Sequence, residues 1–265
     1  MILSEPTAAT HLALDAVREV LAPLSADLRD ALPGAADGAD PEELHRLRVA
    51  IRRTRSILRE LGEILPADRA DAARELFAHL ADATGEPRDL DVSLEGWDDL
   101  VGALGPELRH LLDPVRAALE ARAAHAHHQL RLVLGAASTS RGLEAWSRWL
   151  EPGPQRPADL DVLAQQVGGR LRRLHERLVR DGRRITASSP GQDLHDLRKR
   201  GKRLRYLVEC FAPLFDARPR RAFLTHLEDL QDNLGAHQDA EVQGQLLRSL
   251  AVDVNDGSAS ATDVV

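Results

Sequence analysis

Five side chains in one short stretch could do phosphate chemistry: His45, Arg48, Arg52, Arg55 and Arg59. At about 100° per residue they fall within about 80° of arc on one helix face. From Leu44 to Arg59 the chain carries six arginines and no acid. Like charges three or four residues apart repel by roughly 0.2–0.5 kcal/mol per pair. A solvated helix face ordinarily mixes signs to avoid this, so relief must come from an outside anion or from carboxylates remote in sequence. The guanidinium fork can bond two phosphate oxygens at once. Arginines one helical turn apart, about 5.4 Å, can follow a linear polyanion.

A helix must position this stripe, and the sequence supplies one. Leu44, Leu47, Ala50, Ile51, Leu58 and Leu61 form the opposite, packing stripe. Asp40-Pro41-Glu42-Glu43 is a helix start: a cap, a proline at the first position, and acids on the positive end. The same design recurs 150 residues later. His45, Arg48, Arg52, Arg53 and Arg55 match His195, Arg198, Lys202, Arg203 and Arg205. Downstream, Gly85, Asp89, Asp91 and Val92 match Gly235, Asp239, Glu241 and Val242. Upstream, Val17, Leu21, Leu24 and Leu28 match Val167, Leu171, Leu174 and Leu178. A constant offset across three separated blocks indicates an internal duplication, and two copies make a pseudo-twofold pair rather than a solenoid.

The twice-repeated His-x-x-Arg-x-x-x-Arg/Lys-Arg-x-Arg helix resembles the CHAD family, the conserved histidine α-helical domain. Gly85-Glu86-Pro87-Arg88-Asp89-Leu90-Asp91-Val92 and Leu230-Gln231-Asp232-Asn233-Leu234-Gly235, leading to Asp239, carry the resemblance further. It covers the chain from about Thr7 to about Leu250. It implies an all-α fold of two helical bundles with a basic concavity between them, and a role in binding inorganic polyphosphate. Thr84 departs from the pattern, standing where the second copy has Leu234; looser local packing is expected there.

Composition sets the frame. The chain has 265 residues, 43% of them hydrophobic but only 3% aromatic. Its core must therefore be mostly Leu, Ala and Val, which favours helices over strands. Net charge is −7, which argues against a generic nucleic-acid binder. The basic character is local: Arg170–Arg184 holds seven arginines against Glu176 and Asp181. Lysine occurs only at Lys199 and Lys202. The single cysteine, Cys210, excludes a disulfide and a cysteine-based zinc site. No apolar run reaches the roughly 18 residues of a membrane span, and MILSEPTAAT lacks the pattern of a signal peptide. A cytoplasmic protein is the expectation, and the resemblance implies association with polyphosphate granules.

Along the chain, helices are expected over Thr7–Leu32 with a kink or split at Pro23, then the basic helix, then Asp68–Thr84 and Asp98–Leu104. Glu107–Leu134, bent at Pro114, and Ser140–Leu150 follow. Pro33–Asp40 reads as a loop, and residues 152–157 as the linker. The second half repeats the plan with helices over Ala158–Asp181, Asp193–Phe211, Arg218–Leu234 and His237–Leu250. One helical domain thus spans residues 5–250, with halves 5–151 and 158–250. An acidic, disordered tail follows over 251–265.

Candidate polyphosphate contacts are His45, Arg48, Arg52, Arg55, Arg59 and Arg88 in the first half. In the second they are His195, Arg198, Lys199, Lys202, Arg203, Arg205 and Arg173. Arg122, His125 and Arg131 on the middle helix form either a second basic wall or a solvated face. Asp89 is expected to cap or to orient a neighbouring arginine. Arg46, Arg53 and Arg203 point about 80–100° off the stripe, so for them surface and site readings both stay open. Tyr206 either lends its hydroxyl or packs, and Cys210 is expected to be inert core. There is no GxxxxGK[ST], no GxGxxG and no Glu-x-Glu pair. The expected protein is a binder, not an enzyme, with no catalytic residue, metal or cofactor. Its partner is inorganic polyphosphate, with nucleic acid the disfavoured alternative because stacking aromatics are scarce, and with no membrane.

Overall fold

The computed structural model describes residues 8–38, 40–102, 112–151, 160–186 and 188–235, all of whose regular structure is helical. The linker 152–157, the helix expected over His237–Leu250 and the tail 251–265 lie outside the described residues. The order is α1 (Ala8–Asp37), α2 (Pro41–Leu61), a 3-10 turn (Gly62–Ile64), α3 (Ala67–Ala83), α4 (Gly85–Glu95) and α5 (Trp97–Gly102). Then come α6 (Asp113–Gly135), α7 (Ala137–Leu150), α8 (Leu160–Gly182), α9 (Gly191–Cys210), a 3-10 turn (Ala212–Leu214) and α10 (217–235).

The start of α2 forms as its residues dictate. Asp40 is the extended N-cap, accepting the Glu42 amide at 2.9 Å, with Pro41 at the first position. Its apolar stripe is buried from Leu44 to Leu61, with Thr54 and Ile57 added. Leu21 and Leu28 of α1, Leu47 and Ile51 of α2, Phe77 of α3 and Leu204 of α9 belong to one continuous core that also takes in α7 and α8. Each fully buried Leu or Ile contributes about 1.5–3 kcal/mol by leaving water. A smaller cluster of Leu90, Trp97, Val101 and Leu119 fixes α4 and α5 on α6. Across that contact His127 meets Asp91, Nε2 to Oδ1, at 2.7 Å.

α1 is not split at Pro23, and the loop expected over Pro33–Asp40 is instead helix as far as Asp37. The helix stops at Gly38, whose φ of 75° suits glycine, with its amide bonded to the Gly34 carbonyl at 3.0 Å. Arg131 of α6 donates to the carbonyls of Ala36, at 3.1 Å, and Asp37, at 3.4 Å. Tertiary satisfaction of these last carbonyls outweighs the amide lost at Pro33. Thr84 does not loosen its surroundings: it is fully buried, and its hydroxyl donates to the Leu80 carbonyl at 2.8 Å.

Candidate functional site

Helices α2 and α9 pack together and enclose, with α3, a cleft of about 600 Å³. Seven cationic side chains line it: Arg52, Arg55 and Arg59 from α2, Arg74 from α3, and Lys199, Lys202 and Arg203 from α9. Ser56, Leu58, Ala78 and Tyr206 complete the wall. Among the described residues, Arg52, Arg55, Arg59 and Lys199 have no carboxylate within 4.0 Å. The Arg52 Nε is buried without a hydrogen-bond partner. Burial pulls the Arg203 guanidinium pKa below the usual arginine value; nearby Arg59 lowers it further, against the opposing pull of Glu60.

Ion pairs brace the two helices across this cleft. Arg53 donates to Glu209 at 2.7 Å, and Arg203 reaches Glu60 at 3.5 Å. Glu209 also accepts from Arg205 at 2.7 Å, and Arg205 lies 3.3 Å from Glu228. Arg53 and Arg203 each meet an acid of the other helix, and Arg203 also lines the cleft. Arg46 is surface, paired with Glu43 at 2.7 Å.

A second pair of arginines lies deeper. The half-buried Arg48 sits 3.8 Å from the exposed Asp89, an ion pair without a hydrogen bond, and its guanidinium lies beside Gly85. Burial lowers its pKa, with Asp89 opposing. Arg198 lies beside Gly235 in the same way, 3.3 Å from where a Cβ would stand. His45 is half-buried on α2, and burial lowers its pKa; Glu42 opposes, while Arg88, Arg52 and Arg48 lower it further. His195 is likewise half-buried, on α9.

The other candidates do not line the cleft. Arg88 pairs with Glu95 at 3.0 Å and Arg122 with Glu86 at 2.8 Å. His125 is exposed on α6, and Arg131 holds the end of α1. Arg173 is exposed on α8. Neither Arg74 nor the bracing acids Glu60 and Glu209 stood out in the sequence. Arg74 carries a local partner, Asp71 at 2.7 Å, that makes it look like ordinary surface. Cys210 is half-buried, and burial pushes its thiol up to about 11, so it is inert near neutrality. Among the described residues, no group of three or more His, Cys, Asp or Glu is placed to hold a metal ion. None of the described helices is long and apolar enough to cross a membrane.

An all-helical protein with arginine-bearing helices facing one cleft is the class that fold and site define. A family model of the CHAD domain matches residues 19–248, and the chain belongs to the CHAD family. The crystal structure of the CHAD domain from the plant Ricinus communis is similar, with a TM-score of 0.72 and 23% identity over 99% of this chain and 86% of that one. PptA from Streptomyces chartreusis is similar with a TM-score of 0.66 and 16% identity, over 94% of this chain and 96% of that one. These likenesses speak to the fold. Comparison with curated proteins gives no match.

Proposed function

We propose that the protein binds inorganic polyphosphate, without chemical turnover, in the cleft between α2 and α9. The observation that carries this reading is the cleft wall itself: seven cationic side chains, four of which meet no carboxylate within 4.0 Å among the described residues. Such a wall is destabilised by its own charge until an anion enters. The three α2 arginines, Arg52, Arg55 and Arg59, recur at spacings of three and four residues and so follow a linear polyanion. An internal duplication accounts for the matching settings of Arg48 beside Gly85 and Arg198 beside Gly235. On this reading the protein is cytoplasmic and gathers at polyphosphate granules.

The test is calorimetric titration of wild type and of Arg55→Glu/Lys199→Glu with long-chain polyphosphate. Both substituted residues are exposed, so the fold should survive the change. Wild type should bind, with affinity falling steeply as salt rises, and the variant should bind at least tenfold more weakly. Equal binding by the two would remove the cleft from consideration. Phosphate release with and without Mg²⁺ tests the absence of turnover, and steady release by wild type would make the protein an enzyme.

A further inference from the structure

A second row of arginines lies on α8, outside the cleft. Val167, Leu171, Leu174 and Leu178 bury the inner face of this helix. Arg170, Arg173, Arg177 and Arg180 share one flank, within about 80° of arc, and span about 15 Å along the axis. Arg173 and Arg177 are exposed, and among the described residues neither has a carboxylate within 4.0 Å. Arg180 is 64% exposed, with Asp181 at 3.1 Å.

Both ends of the row are tied to the cleft-forming helices. Arg170 bonds Glu63 at 2.6 Å, in the 3-10 turn that follows Arg59. At the far end Asp181 pairs with Arg200, the residue after the cleft-lining Lys199. The Arg173 guanidinium lies over Gly169, turned back along the helix toward Arg170. These ties join α8 to the turn that ends α2 and to α9, the two helices that form the cleft.

We infer that Arg173, Arg177 and Arg180 form an outer track that takes the part of a long linear polyphosphate emerging from the cleft. The inference rests on the cleft reading above and adds chain-length selectivity to it. From Arg52 to Arg59 the α2 cations span about 10 Å. A short polyanion is held there, and only a longer one reaches α8. Each cation–phosphate contact on a flexible chain contributes about 0.7 to the slope of log affinity against log salt.

The experiment measures binding of two probes, tripolyphosphate and long-chain polyphosphate, to wild type and to Arg173→Gln/Arg177→Gln/Arg180→Gln across a salt series. Circular dichroism of the variant checks its helix content and melting. The expected result is long-chain affinity about tenfold lower or more in the variant, with a salt slope shallower by about 2, and tripolyphosphate affinity within twofold of wild type. Unchanged long-chain binding overturns the track and leaves the cleft standing. Equal losses for both probes also overturn it, because the arginines would then act by supporting the cleft. Wild type that binds neither probe overturns the cleft reading, and the track with it.

Discussion

Arg53 and Glu209 are 156 positions apart in the chain and meet at 2.7 Å, joining α2 to α9 beside the cationic cleft. The pair is half-buried, with side-chain exposures of 32% and 20%. Glu209→Ala leaves both Arg53 and Arg205 without this acceptor. Solvent screens part of the effect, so the loss of stability should be about 1–2 kcal/mol, read from urea denaturation. Polyphosphate affinity should move the other way, because the variant gains net positive charge beside the cleft. A loss of both stability and affinity would mean that Glu209 holds the binding geometry rather than competing with the ligand.

Proton linkage should be visible at His45. Burial and the neighbouring arginines lower its pKa, with only Glu42 opposing. In the folded protein it therefore gives up its proton at lower pH than in the unfolded chain, where the value is about 6.5. Between these two values the unfolded state binds more protons, so His45 destabilises the fold as pH falls below about 6.5 and contributes nothing above it. A bound polyanion raises the His45 pKa. Binding of long-chain polyphosphate should therefore take up protons within that window, measured by calorimetry in buffers of different ionisation enthalpy. His45→Gln should abolish the part of the uptake that belongs to the ring. Identical uptake in the variant would assign the protons to another group.

The glycines that receive the two deep arginines should respond differently. A Cβ at Gly85 would lie 3.6 Å from the Arg48 guanidinium, an ordinary contact, so Gly85→Ala should stabilise by roughly 0.5–1 kcal/mol through helix propensity. At Gly235 the distance to Arg198 is 3.3 Å, and the guanidinium must give way. Gly235→Ala should gain less stability and perturb polyphosphate binding more. Denaturation midpoints and affinities of the two variants check this, and a larger binding defect at Gly85 would contradict it.

Much of this was legible from residue order alone. Asp40 and Pro41 announce the start of α2, and the 3–4 spacing from Leu44 to Leu61 shows which face is buried. The absence of acids among Arg52, Arg55 and Arg59 marks the cationic stripe. An angular rule tells where a side chain points, but not what waits there. For Arg53 and Arg203 surface and site readings both stayed open because their acids, Glu209 and Glu60, belong to the other half of the chain. The extension of α1 past Pro33 was hidden for the same reason: Arg131, which satisfies its last carbonyls, comes 95 residues after Ala36. Conversely, Arg122 and Arg131 lie on a basic-looking helix but are engaged with Glu86 and with backbone carbonyls.

The most direct measurement compares melting temperatures of wild type and Arg52→Met/Arg55→Gln, each with and without long-chain polyphosphate at fixed ionic strength. Arg52 has a buried Nε without a partner, and both residues belong to the crowded stripe. Met keeps the apolar stem of Arg52 while removing its charge. Without ligand the variant should melt above wild type. At one hundred times Kd, an anion that binds only the folded form stabilises wild type by about 2.7 kcal/mol, and the variant should gain much less. Equal upward shifts in both proteins, with no difference between them in the absence of ligand, would contradict binding in the cleft between α2 and α9.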